Sequence, residues 1–246
     1  MQCKTIPRPW TFWLLVVQCV LLAITPLLIV AYRLEFLRLN LGFLGVAALI
    51  MTVAILGVFA LLVWIFATMF KRAHLKPGSG WATILALFPL AISLSIVGGG
   101  GFSMAPIHDI STDTQNPPLF LSAVIERKQT DNSLEYNFKS LPAQQQKAYP
   151  DIAPLTLTMS PEAAFAKAHK LIEDNGWTLT GESHKNGHLE AVYQSLIFAF
   201  KDDIVIRIRP ASGGSIIDMR SSSRVGISDL GANAKRIRTF LQALAR

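Results

Sequence analysis

The sequence predicts three transmembrane α-helices followed by a soluble α+β domain, an antiparallel sheet of about four strands with two helices packed on it. Three observations predict this. Residues 1–101 hold seven Lys or Arg and a single acid, Glu35, and carry three long uncharged runs. Residues 102–246 hold 16 basic and 15 acidic side chains, the balance of a water-soluble domain. Within that second part, apolar residues recur at helical spacing, then in alternation, then at helical spacing again. The expected division is a membrane anchor over 1–101 and a single domain over 102–246, long enough to bury a core of its own.

In the anchor, the first span is expected over about 10–32. Its uncharged stretch rises about 34 Å at 1.5 Å per residue, enough for a hydrocarbon core of ~30 Å. Pro26 is expected to kink it. The second uncharged run, Leu39–Phe70, is longer than one crossing needs, so the span is placed at about 41–66. The third, about 81–97, is the shortest, with Pro89 in its middle and Gly98–Gly101 behind it as a hinge or a frayed end. Trp10, Trp13, Trp64 and Trp81 fall near the expected ends, where an indole can be half wet. The N-terminal tail and the second loop share one side and carry Lys4, Arg8, Lys71, Arg72 and Lys76; the first loop carries Arg33 and Arg38, offset by Glu35. The positive-inside rule then puts the N-terminus in the cytoplasm of an inner-membrane, multi-pass protein, with the C-terminal domain periplasmic or extracellular.

In the domain, residues 102–150 read as irregular, broken by Pro106, Pro117, Pro118, Pro142 and Pro150, with Ile107–Asp113 a short edge strand or an ordered loop. Ser160-Pro161 opens a helix by capping and by the preset φ of proline, and Asn175-Gly176 closes it. Strands are expected at 177–181, 189–200, 204–209 and 215–221. Asn186-Gly187 turns the first pair, and Lys201-Asp202-Asp203 and Pro210–Gly214 turn the others. Ile204, Ile206 and Ile208 share one face of their strand, and Val205, Arg207 and Arg209 the other. The last helix is expected from about Asp229 to Ala245, with Leu230, Ala234, Ile237, Leu241 and Leu244 as its apolar stripe.

The net charge of +7 does not point to nucleic acid: +6 of it lies in 1–101 beside the spans, and only +1 in the domain. No phosphate-binding loop, dinucleotide fingerprint or nucleophile elbow occurs, and no cofactor or metal is implied. The cysteines, Cys3 and Cys19, both lie outside the domain. One stretch concentrates recognition chemistry. Arg207, Arg209, Arg220 and Arg224 offer bidentate contacts to an anion such as a lipid phosphate or acidic glycan, and Ser228, Asp229 and Asn233 lie where a helix begins. The competing reading pairs those arginines internally with Asp202, Asp203, Asp218 and Asp229. A second candidate is His108 with Asp109 and Asp113, a set that could serve hydrolysis or a metal, although no second His stands nearby.

Several segments are similar to a known family. Pro106–Asp113, Asn116-Pro117-Pro118, Ala148–Ile152 and Gly176-Trp177, and above all Asp218–Gly226 and Ser228–Asn233, resemble a bacterial domain family of unknown function, number 1499. The resemblance covers about 106–246. It implies a domain boundary and no activity.

The expected function is that of a membrane-anchored envelope protein whose domain binds an envelope protein or an anionic lipid or glycan, without catalysis. Two alternatives stay open: a metal-dependent or hydrolytic envelope enzyme using the His108/Asp109 region, and an assembly factor for a membrane complex.

Overall fold

A computed structural model describes residues 8–97 and 105–246; the expected glycine hinge Gly98–Gly101 lies outside them. The chain divides into two compact units, Met1–Gly99 and Gly100–Arg246.

The first unit is three helices, α1 (Trp10–Arg33), α2 (Leu39–Met69) and α3 (Lys76–Val97), each long and apolar enough to cross a membrane. The second helix outruns 41–66 at both ends. The third begins at Lys76 rather than Trp81, because Pro77 suits a helix's first turn, where its missing N–H is no loss. The helices meet along small residues. Val46, Val53, Ala60 and Ala67, seven apart on α2, are buried, as are Thr11 and Gln18, seven apart on α1. Small side chains let backbones approach where lipid offers no hydrophobic drive. A Cβ added at Gly57 would collide with that of Ala86 on α3. At this crossing the fully buried Gln18 amide donates to Val53 O of α2 (3.3 Å), and with its O and N exchanged it would donate to Ala82 O of α3 (3.0 Å) and accept from Gly57 N (3.2 Å), so in that orientation it ties three helices together. Gln18→Leu is expected to weaken the bundle by about 1 kcal/mol, read as an earlier midpoint when the detergent-solubilised chain is titrated with dodecyl sulfate. An unchanged midpoint would show that the amide is not a tie.

The second unit is built on one antiparallel sheet of six strands rather than about four: β1 (Asp109–Ser111), β2 (Leu155–Leu157), β3 (Thr178–Ser183), β4 (His188–Gln194), β5 (Lys201–Ala211) and β6 (Gly214–Ser223). The two extra strands are three residues each, too short for an alternation signal. Both pair with β6, β1 against Arg220–Ser222 and β2 against Ser215–Ile217, and both run antiparallel to it. They amount to one edge strand interrupted by an excursion, residues 112–154. Thr112 bridges the break: its N–H donates to Met219 O, and its hydroxyl accepts from Met219 N. The excursion holds two short helices, α4 (Ser122–Glu126) and α5 (Leu141–Ala148). From α5, Gln145 accepts from Ser111 N (3.0 Å) and donates to Ser111 O (2.7 Å), closing the open edge of β1.

The helices α6 (Pro161–Asp174) and α7 (Ala232–Ala245) cover one face of the sheet. Ser160 Oγ caps α6 at Ala163 N, and Gly176 turns out of it with φ +67°. The core on this face joins Ile204, Ile206, Ile208, Ile217, Met219 and Leu189 to Phe165, Ala168 and Ile172 of α6 and to Ala234, Ile237, Phe240 and Leu244 of α7. Trp177 stacks on Phe240 at 5.4 Å.

Three expected boundaries are corrected. The strand expected over 189–200 stops at Gln194, because Ser195 bonds back to Phe200 through N–H and Oγ and closes a loop in which Ala199 takes φ +53°. Lys201-Asp202-Asp203 is not a turn but the start of β5, its aspartates held by arginines on opposite faces of the sheet. The final helix starts at Ala232, not Asp229, because Gly231 stands in the left-handed region (φ 82°). Leu230, expected on its apolar stripe, falls outside it and is 42% exposed.

Candidate functional site

Strand register puts a set of charged residues on the face that α6 and α7 leave uncovered. Arg207 stands opposite Asp218, Glu190 opposite Val205, Val205 opposite Arg220, and Asp203 opposite Ser222, which in turn faces Asp109. The first part of the excursion, residues 113–136, folds over this face. Phe120, Ala123 and Leu134 pack on Val205. Charge is thereby taken out of water, and each buried ion needs a partner.

The partners come from the chain itself. Arg220, 1% exposed, binds Asp109 through Nε and Nη2 (2.9 and 2.6 Å), and donates to Pro118 O and Leu134 O. Phe120 and Tyr136 flank its guanidinium at 4.9 and 5.1 Å. Arg224 grips Asp203 and reaches Glu126 at 3.0 Å, while Arg127 reaches the same Asp203 at 2.7 Å and donates to Ser222 O. Arg207 and Arg209 share Asp218 Oδ2, and Arg207 also meets Asp113 (3.2 Å) and Asn116 O. Glu190 Oε1 and Oε2 accept from the N–H groups of Leu121, Ser122 and Ala123, and His188 Nε2 lies 2.8 Å from Oε1.

Electrostatics follow the burial. Burial alone would push the Glu190 carboxyl up, but His188 and the three backbone donors outweigh it and hold it below the ordinary range. The Tyr136 phenol is pushed up to about 12, chiefly by burial, with Asp109 and Asp113 adding and Arg220 opposing. Asp218 Oδ1, Tyr136 Oη and Ser222 Oγ are buried without a protein partner.

The two candidate sets read from the sequence are therefore interlocked, since Asp109 and Asp113 are the partners of Arg220 and Arg207. The remaining candidates sit elsewhere. Asn233, fully buried on the helix-covered face, accepts from Ser221 Oγ (2.7 Å) and donates to His108 O and Ser223 Oγ. Asp229 accepts from Gly231 and Asn233 N–H at the start of α7; burial pushes its carboxyl up, with those bonds opposing. Ser228 Oγ donates to Ala105 O, and Nδ1 of the half-buried His108 lies 3.4 Å from Ile227 O. Sequence reasoning missed Glu190, Arg127 and Arg236, and it named Asp202 only as a partner for the other arginines, whereas Asp202 pairs with Arg236. Arg236 faces inward to Asp202 (2.6 Å), Ser221 and Asn233, over the Tyr193 ring. For Glu190 the signal was its position, an acid at a covered parity of a strand. Among the described residues, no group of three His, Cys, Asp or Glu side chains is placed to hold a metal ion.

These features define a class: an α+β domain with one apolar and one salt-bridged sheet face, carried on three helices able to cross a membrane. The model of the family described as "Protein of unknown function (DUF1499)" matches residues 109–244, and the chain belongs to that family. Comparison with curated proteins gives no match.

Proposed function

We propose that this is a membrane-anchored envelope protein whose domain stands outside the cytoplasmic membrane and acts by binding an envelope protein or an anionic lipid or glycan, not by catalysis. The arginines carry this reading. Arg127, Arg220 and Arg224 are spent on internal carboxylates, which makes the covered face a rigid scaffold. Arg209 is the member with exposure to spare, 42% of its side chain, and its partner Asp218 keeps Arg207 if Arg209 is removed. It is a guanidinium displayed on a rigid strand, suited to an anionic group.

Two measurements test the reading. Alkaline phosphatase fused after Arg246 is expected to be active, and an inactive fusion reverses the topology. Affinity purification of the full chain from native membranes is expected to recover a component that Arg209→Ala loses while keeping its fold. Equal recovery with both chains would remove Arg209 from the site.

A further inference from the structure

One end of the domain displays large apolar side chains among its polar ones. Four segments meet there through backbone hydrogen bonds. Ser223 N donates to His108 O, Asp229 N to Ile107 O, Arg224 N to Lys201 O, and Asn132 N to Arg224 O. Residues 105–108, 127–132, 195–201 and 224–231 are thus knit into one surface, which includes the point where the chain enters the domain. Two of its loops display large apolar side chains: Leu196 (88% exposed) and Ile197 in the β4–β5 loop, Ile227 (80%) and Leu230 between β6 and α7. Both loops hold a non-glycine residue at positive φ, Ala199 and Leu230 (each 53°). Such backbone is strained for a residue with a Cβ and persists only where surroundings impose it. These are shaped projections, with exposed Lys201 beside them.

Chain length says what covers them. The third apolar helix closes at Val97 and the first buried residue described in the domain is Ile107. That tether spans at most about 35 Å even fully extended. A bilayer crossed by that helix is therefore within reach of the end that bears Ile107. Apolar side chains flanked by a lysine match the chemistry of the lipid interface, where the ammonium reaches headgroup phosphate and the aliphatic groups enter the acyl boundary.

We propose that this end of the domain docks on the bilayer that holds the anchor, inserting Leu196, Ile197, Ile227 and Leu230 at headgroup depth. The inference rests on the membrane-anchored reading and adds an orientation to it. The test uses the full chain in vesicles of phosphatidylethanolamine and phosphatidylglycerol. With Cys3 and Cys19 replaced, an environment-sensitive fluorophore is placed by Leu196→Cys, by Ile227→Cys or, at the opposite end of the sheet, by Ser212→Cys. The probes at 196 and 227 are expected to emit further to the blue. They should be quenched several-fold more by shallow spin-labelled lipid than by aqueous iodide, with the reverse at 212. Iodide quenching at 196 and 227 equal to that at 212 overturns the docking. Shielding from both quenchers overturns it in favour of a protein neighbour. Co-flotation with the vesicles is scored separately, and its loss would overturn the anchor itself. The variant Leu196→Asp with Ile227→Asp should still co-float while a probe at 197 becomes accessible to iodide.

Discussion

Arg220→Ala is expected to destabilise the domain by about 3–5 kcal/mol, because it leaves Asp109 buried as an unpaired charge. Three further losses accompany it: the carbonyls of Pro118 and Leu134 lose their donor, and the gap between Phe120 and Tyr136 opens. These contacts help hold residues 118–136 on the sheet, so the excursion should become protease-sensitive before the α6–α7 face does. The measurement is urea unfolding of the detergent-solubilised chain, followed through Trp177, which stacks on Phe240 in the core. The double change Arg220→Met with Asp109→Leu should recover much of the loss, since a hydrophobic pair of similar volume needs no desolvation. If Arg220→Ala unfolds within 0.5 kcal/mol of the parent, by the ordinary scatter of surface substitutions, the pair is not structural and its arginine is free for a ligand.

Glu190→Gln is expected to cost about 2–3 kcal/mol, in line with loss of a charge-assisted acceptor. The carboxylate serves Leu121, Ser122 and Ala123 with two oxygens, and an amide would turn an NH2 group toward some of those donors. The start of α4 would then lift from the sheet at Gly181, where a Cβ would collide with Ser122 Oγ. This difference should depend on pH. The folded-state pKa of Glu190 lies below its ordinary 4.5, so its stabilisation is fully present above that value and is lost as pH falls through the lower, folded one. Asp229 works the other way: its pKa is raised, so what it contributes at acid pH is lost as pH rises through the folded value. The stability gap between parent and Glu190→Gln, followed from pH 7 downward, isolates the first effect. A gap that stays constant or widens toward acid pH would contradict the assignment.

The parts of the fold legible in sequence were those with a repeating signal. Uncharged runs marked three helices, Ser160-Pro161 and Gly176 bounded α6, and alternation at Ile204–Arg209 assigned each residue its face. The interrupted edge strand was not legible. A three-residue strand has no period to detect, and β1 and β2 become neighbours only because β6 offers both the same edge. The site was half legible. The arginines stood out as a group, but their internal partners Asp109 and Asp113 lie about a hundred residues away, and Glu190 read as an ordinary polar position.

Sequence alone determined where the chain is greasy, where it is charged and which strand residues share a side, because each depends on near neighbours in the chain. Tertiary structure alone decided which charges neutralise one another. That outcome depends on an excursion folding back across a sheet face and excluding water, and the energy of a buried ion is set by what closes over it rather than by what precedes it along the backbone.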